Sequence, residues 1–270
     1  MGLSSSCTKT IPVSNGHNNG GIPQIVETKS PVLTPKPVKV SSQILGYYEA
    51  LPVHYQETTQ RYPVIIFLHG GGQYGNGNSD LDTLLTESIP KLIKENKFPG
   101  SFTVSSGIYS FIVIIPQLLE AVVPQQLDAL VEFTKLNYRV DTSRIYIAGM
   151  SLGARQAIDY CAFSPLKVAA VVAMAGMPTV STMDAKSKIF ASSPLPLWQV
   201  HNKDDSAWSF NESQIFIDKI NALSPGIPPR FSVFETGVAR LHHDSWTKVS
   251  DPSYIENGKN IYEWMLGYSR

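Results

Sequence analysis

Residues 145–153, Ile-Tyr-Ile-Ala-Gly-Met-Ser-Leu-Gly, constrain this chain more than any other stretch. A β-branched and aromatic run, Ile145-Tyr146-Ile147-Ala148, leads straight into Gly149-Met150-Ser151-Leu152-Gly153, and the helix-compatible Ala154-Arg155-Gln156-Ala157-Ile158 follows. Strand, sharp turn and helix are the context in which Gly-x-Ser-x-Gly has chemical meaning. The serine then sits on a strained turn with its Oγ exposed at the carboxyl edge of a sheet, and side chains two residues to either side would strike the neighbouring strand and helix. Without that context the same residues would be a serine N-cap beside an ordinary glycine turn.

The rest of the chain supplies company for the serine. Upstream, the apolar run Val64-Ile65-Ile66-Phe67-Leu68 ends at His69-Gly70-Gly71-Gly72. Downstream come Asp204-Asp205 and His242-His243, so the order is glycine loop, serine, aspartate, histidine. Continuous apolar runs such as Val64–Leu68 and Phe111-Ile112-Val113-Ile114-Ile115-Pro116 suit strands covered on both faces. They alternate with helical spacing over Val123–Tyr138, in the segment after Ser151, and over Glu212–Leu223 and Ile255–Leu266. Further strands are expected at Ile44–Pro52, Val168–Ala175, Leu195–Val200 and Arg230–Glu235, with helical sequence over roughly Leu84–Asn96 interrupted by Pro90 and a loop between Ala175 and Pro194. This rhythm predicts an α/β fold, with a mostly parallel sheet and helices on both faces.

Composition narrows the function classes. At 270 residues and 43% hydrophobic the chain can bury the core of one large α/β domain. Lys+Arg and Asp+Glu both number 22, which leaves no net charge to draw it to nucleic acid. No run is long and apolar enough to span a bilayer. The two cysteines, Cys7 and Cys161, make no disulfide framework, and Cys161 falls in an apolar helical stretch that suits a buried free thiol. The six histidines show no metal-ligand spacing, so neither a metal nor another cofactor is expected.

Residues 1–41 differ from the remainder. They are rich in Ser, Asn, Gly, Pro and Thr and predict a flexible leader or tether, with ordered structure beginning near Ser42 and a catalytic domain over 42–270. Leu3-Ser4-Ser5-Ser6-Cys7 resembles the end of a bacterial lipoprotein signal with Cys7 as the acylated residue, which implies an envelope-anchored or secreted protein. Met1-Gly2-Leu3-Ser4-Ser5-Ser6 also satisfies a loose N-myristoylation pattern, and a cytoplasmic location is the alternative.

The chemistry these residue types allow is acyl transfer. Glycines after a strand let backbone N–H groups face the oxygen that becomes negative in a tetrahedral intermediate, and the expected donors are Gly71 and Leu152. A carboxylate from Asp204 or Asp205 would accept the imidazole proton of His242 or His243, which in turn would activate Ser151. Gly72, Gln73, Tyr74 and Trp246, with whichever histidine is not the base, are expected to border the substrate. His69 is expected to be structural.

From about Ile44 to its end the chain resembles bacterial esterases of the α/β-hydrolase superfamily, in the phospholipase/carboxylesterase-like and polyhydroxybutyrate-depolymerase-like branch. The resemblance is carried by Pro63–Gly72, Ile114-Ile115-Pro116-Gln117, Val140–Gly153, Pro196–Asp205 and His243-Asp244-Ser245-Trp246. In such proteins the triad aspartate stands four residues after a strand-end histidine, which falls on Asp205, and the triad histidine three before a tryptophan, which falls on His243. His242 then borders the substrate. The resemblance implies an α/β-hydrolase fold and ester hydrolysis through an acyl-enzyme. The segment between Ala175 and Pro194 is too short for a large cap domain, which leaves the site open to a small-molecule or carbohydrate-linked ester. Ala154-Arg155-Gln156 and Gly72-Gln73 depart from the usual family residues and bear on substrate choice. The alternative readings are a serine peptidase of the prolyl-oligopeptidase type and a non-catalytic binding protein on the same fold.

Overall fold

The computed structural model describes residues 25–237 and 240–270, so Cys7 lies outside the described residues. In chain order the elements are β1 (Val32–Lys36), β2 (Ile44–Leu51), β3 (Tyr62–Leu68), α1 (Ser88–Lys94), β4 (Phe102–Val104), β5 (Gly107–Tyr109), β6 (Ile112–Leu118), α2 (Pro124–Asn137) and β7 (Val140–Met150). There follow α3 (Leu152–Phe163), β8 (Ala170–Met174), α4 (Val180–Ser192), β9 (Leu197–Asn202), α5 (Phe210–Asn221), β10 (Arg230–Phe234), α6 (Trp246–Ser250) and α7 (Ile261–Leu266). Eight strands form one sheet in the order β1-β2-β6-β3-β7-β8-β9-β10, and β4 pairs with β5 as a separate hairpin. Strands β1 and β2 run antiparallel at one edge, and from β6 to β10 every pairing is parallel.

Alternation along the strands divides the core in two. Val64, Ile66 and Leu68 of β3, with Ile145 and Ile147 of β7, pack under α2 to α5, where Leu130, Ile158, Phe190 and Phe216 are buried. Ile65, Phe67, Tyr146 and Ala148 face the opposite way, onto α1, α6 and α7 and an aromatic cluster of Phe98, Phe102, Phe111 and Tyr262. A sheet covered on both faces is the reason its inner strands are apolar at every position.

The register positions the site. Leu68 lies beside Gly149, Met150 beside Met174, and Met174 beside Val200, so β3, β7, β8 and β9 end at nearly the same level. The loops leaving these ends emerge together at the carboxyl edge, where α/β sheets hold their ligands.

Four expectations are corrected. Ordered structure begins well before Ser42: β1 pairs with β2 from Val32 opposite Leu51 to Lys36 opposite Tyr47. Ahead of it, the Glu27 carboxylate is 3% exposed and accepts from the His54 backbone N–H at 2.9 Å and its Nδ1 at 2.8 Å, while the Glu27 N–H donates to Ser101 Oγ at 2.8 Å. Polar, proline-containing composition concealed a segment anchored by one buried carboxylate. The stretch between Ala175 and Pro194 contains the helix α4, whose Met183 and Phe190, two turns apart, bury against the sheet. The last helix starts at Ile261 because Asn260 forms a capping box with Glu263, and the preceding Glu256 and Lys259 form a β-bridge instead. Finally, α6 and the β4–β5 hairpin were not foreseen. Cys161 is a fully buried free thiol, as expected. Among the described residues no helix is long and apolar enough to cross a membrane.

Glu27→Ala removes the acceptor for two donors of His54 and is expected to cost about 1–3 kcal/mol in urea unfolding, with faster proteolysis ahead of β2. Unchanged unfolding and proteolysis would show that Glu27 does not anchor the segment.

Candidate active site

Strand β7 delivers Ser151 to the sheet edge in a conformation few residues adopt, with φ 54° and ψ −122°. Such a backbone costs on the order of 1–3 kcal/mol and persists only where its surroundings fix it. Here the Ser151 N–H donates to Met174 O at 2.8 Å on the adjacent strand, and the Ser151 carbonyl accepts from Ala154 and Arg155 as α3 begins. The two glycines permit the turn. A Cβ on Gly149 would overlap the Gly153 carbonyl and Ala154 N, and one on Gly153 would overlap the carbonyl oxygens of Leu68 and His69. These are the strand and helix collisions that the pattern implied.

The glycine loop closes against this turn. A Cβ placed on Gly70 would sit 3.5 Å from Ser151 Cβ, and one on Gly71 would sit 3.7 Å from Leu152 Cδ2. Residues Gly71–Gln73 form a short 3-10 turn, and Leu152 opens α3. The N–H groups of Gly71 and Leu152 therefore start their helical segments and have no partner within them. His69 fixes the loop from below: its Nδ1 donates to Gly70 O at 2.7 Å and its Nε2 accepts from Leu118 N–H at 3.0 Å. Burial pushes this imidazole down to about 4, only partly opposed by the Gly70 carbonyl, so it is neutral and structural near pH 7.

The other partners arrive from β9 and from the loop after β10. His243 Nε2 lies 2.8 Å from Ser151 Oγ, and His243 Nδ1 lies 2.6 Å from Asp205 Oδ2. The Asp205 side chain is inaccessible to solvent, and its Oδ1 accepts the backbone N–H groups of Ala207 at 2.8 Å and Trp208 at 3.0 Å. Burial opposes its ionisation, but hydrogen bonds from His201, His243 and the Trp208 backbone outweigh that and hold the carboxyl well below the usual carboxylate range. Around His243, Trp246 packs edge-on at 5.1 Å, and Trp208 lies nearly parallel with Arg155 over its outer face at 4.0 Å.

His201 is the functional contact that sequence reasoning missed. It served only to count four residues to Asp205, yet its Nε2 lies 3.1 Å from Asp205 Oδ2 and its Nδ1 lies 2.8 Å from Ser213 Oγ. The available signal was a histidine at the end of an otherwise apolar strand, a position that burial makes costly unless both ring nitrogens are satisfied.

A cavity of about 430 Å³ opens beside Ser151, lined by the glycine loop and Gln73 on one side and by Leu241, His243, Asp244 and Trp246 on the other. Gly72, Gln73 and Trp246 line it, and so do Glu87 and Met150. Tyr74 and His242 do not line it. The Tyr74 ring turns onto His69 at 5.4 Å. His242 points to Asp204, with Nδ1 2.5 Å from Oδ2, and its carbonyl accepts from Asn202 at 2.7 Å. The adjacent histidines thus engage the adjacent aspartates separately. Among the described residues no three His, Cys, Asp or Glu side chains gather in a way that could hold a metal ion.

Residues 114–236 match the Phospholipase/Carboxylesterase family. The matched segment includes Ser151 and Asp205 and stops short of His243. No curated protein sequence matches the chain significantly. Among solved structures, a thermostable esterase aligns with a TM-score of 0.59 and 19% identity over 89% of this chain and 64% of that one, so the chain spans under two thirds of that esterase's length. A feruloyl esterase module from Clostridium thermocellum, a serine-to-alanine variant complexed with sinapinate, gives 0.58 at 13% identity over 83% of this chain and 86% of its own. Fluorophosphonate-binding serine hydrolase F of Staphylococcus aureus gives 0.55 at 12% over 80% and 94%. The chain has the α/β-hydrolase fold, and its central segment is similar to the Phospholipase/Carboxylesterase family.

The burial of His69 makes stability depend on pH. Its folded-state value of about 4 lies below the ordinary 6.5, so between these values the unfolded chain binds a proton that the native protein does not. Stability should therefore fall as pH drops from about 6.5 to 4, by roughly 3 kcal/mol from this residue. Denaturant unfolding at pH 7 and pH 4.5 should show a smaller loss in His69→Gln than in the unaltered protein, and an identical loss would refute the assignment.

Proposed function

We propose that this protein is a serine carboxylesterase in which Ser151 is the nucleophile, His243 the general base and acid, and Asp205 the residue that orients His243. The observation that carries the reading is the unbroken line of hydrogen bonds from Ser151 Oγ through both nitrogens of His243 to Asp205. Ser151 Oγ attacks the ester carbonyl while His243 Nε2 takes its proton. Asp205 accepts the Nδ1–H and stabilises the imidazolium that forms. The tetrahedral oxyanion receives hydrogen bonds from the N–H groups of Leu152 and Gly71, each worth on the order of 3 kcal/mol to the transition state. Collapse expels the alcohol, which takes the proton from His243 and leaves an acyl group on Ser151. Water, deprotonated by the same imidazole, then releases the acid.

The geometry supports Asp205 over Asp204 and His243 over His242. Asp205 is solvent-inaccessible and its carboxylate is fully engaged, whereas the Asp204–His242 pair lies at the surface, with His242 54% exposed. Its contribution is to the loop: Asp204 accepts from Gly237 N–H at 2.8 Å and holds the segment that presents His243. A cavity of about 430 Å³, with no large cap among the described residues, suits an ester of small-molecule size, including an acylated carbohydrate. Attachment of lipid at Cys7, a tethering role for the first residues and a location at the cell envelope rest on the order of residues 3–7 alone.

Turnover of p-nitrophenyl acetate tests the proposal. Ser151→Ala and His243→Ala should each lose at least about 10³-fold in kcat, and the double variant should be scarcely worse than either, because the triad acts as one unit. Asp205→Asn should fall by orders of magnitude through the wrong imidazole tautomer, while Asp204→Asn and His242→Ala should keep most activity. Comparable loss in Asp204→Asn and Asp205→Asn would overturn the aspartate assignment, and full activity in Ser151→Ala would overturn the mechanism.

A further inference from the structure

His243 stands on backbone that no regular element fixes. It lies in no strand or helix, and Leu241 and His242 before it hold positive φ, 61° and 54°. Its Nδ1 faces Asp205 and its Nε2 faces Ser151, but contacts at the ring nitrogens leave the imidazole free to rock about the line that joins them, and the torsion that carries a histidine ring is broad. In the esterase reading the Ser151 contact is also lost once Oγ bonds to the carbonyl carbon. The imidazole must then be held by its faces.

Trp208 is placed to hold one of them. Its main chain is tied to the carboxylate end of the triad: the N–H donates to Asp205 Oδ1 at 3.0 Å, and the carbonyl accepts from His201 Nε2 at 3.2 Å. Its indole lies within 18° of parallel to the imidazole at a centroid separation of 6.5 Å, inside the range of offset-stacked rings. Trp246 meets the same imidazole edge-on, at 5.1 Å and 87°. Trp246 lines the cavity and Trp208 does not, so Trp208 bears on the base without bordering the space for substrate.

The indole is itself held. Arg155 stands on the first turn of α3, its N–H donating to Ser151 O at 3.3 Å and its Nε to Met177 O at 3.3 Å. Its guanidinium carbon lies 4.0 Å from the indole centre, a cation–π contact that refers Trp208 to the helical turn that begins at Ser151.

We infer that Trp208 is a positioning residue for the general base, holding the His243 imidazole in the plane that serves both Ser151 and Asp205, with Arg155 holding the indole in turn. The inference rests on the esterase reading and adds to it a support outside the triad and the oxyanion donors. The bonds from Trp208 to Asp205 and His201 are made by its main chain and do not depend on its side chain. Replacing the side chain therefore reports on the indole alone.

The test is p-nitrophenyl acetate hydrolysis by the full chain, with kcat expressed per chain that a fluorophosphonate labels at completion, so that misfolded protein does not count. Trp208→Ala should lower kcat by at least about tenfold and leave KM within about twofold, because misplacing a catalytic group is felt in the transition state and the indole does not border the substrate. Trp208→Phe, which keeps a flat ring at that place, should recover kcat to within about threefold of the unaltered protein. Arg155→Met should lower kcat by about threefold or more, and adding it to Trp208→Ala should cost little further, because Arg155 acts through the indole. Arg155→Met decides the question alone if Trp208→Ala does not fold. Unchanged kcat in Trp208→Ala or in Arg155→Met, a loss confined to KM, or a Trp208→Phe as impaired as Trp208→Ala would overturn the inference and leave the esterase reading intact. An unaltered chain that neither hydrolyses the ester nor takes the label would remove the esterase reading and this inference with it.

Discussion

The site depends on one constrained residue, Ser151, held at φ 54° between a buried strand and the helix that follows. The left-handed turn lifts it above the carboxyl edge, and the hydrogen bond to Met174 O on β8 holds it there. Gly149 and Gly153 are needed because the turn brings α3 against β7 and against the end of β3 more closely than any Cβ allows. The parallel register then does the rest: strands that end level with one another deliver the glycine loop, Ser151 and Asp205 from different parts of the chain to one place.

Asp205 is the second point on which the arrangement turns. A carboxylate with no solvent access would be costly if unpaired, and this one is surrounded by donors, two from backbone and two from imidazoles. His201, itself buried and bonded to Ser213, fixes the oxygen that His243 uses. Asp204 occupies the same loop with the same chemistry yet stays at the surface, where its partner His242 is half-exposed. The difference between the two aspartates is therefore one of environment, set by which residue turns inward beneath the loop after β9.

Much of this was legible in the chain. Apolar runs at Val64–Leu68 and Ile112–Ile115 marked strands covered on both faces, and Gly-x-Ser-x-Gly marked the turn between a strand and a helix, because burial and steric exclusion restrict which residues those places accept. The order of glycine loop, serine, aspartate and histidine located the partners. What composition concealed depended on contacts distant in sequence. β1 reads as leader sequence because it lies within a stretch rich in polar residues and proline, and its pairing with β2 and the contact between His54 and Glu27 are invisible locally. The helix α4 has only two widely spaced buried anchors, Met183 and Phe190, a periodicity too sparse to stand out. Tyr74 and His242 adjoin residues that line the cavity, but each turns away to a neighbour, His69 in one case and Asp204 in the other.

The central claim is that the Ser151 hydroxyl is activated through its contact with His243. Treatment with a fluorophosphonate, followed by intact-mass measurement and peptide mapping, tests this directly. The account predicts one phosphonyl group per chain, on Ser151, with labelling slowed by orders of magnitude when His243 is replaced by alanine. A folded protein that takes no label, that is labelled at another residue, or that labels equally fast without His243 would contradict it.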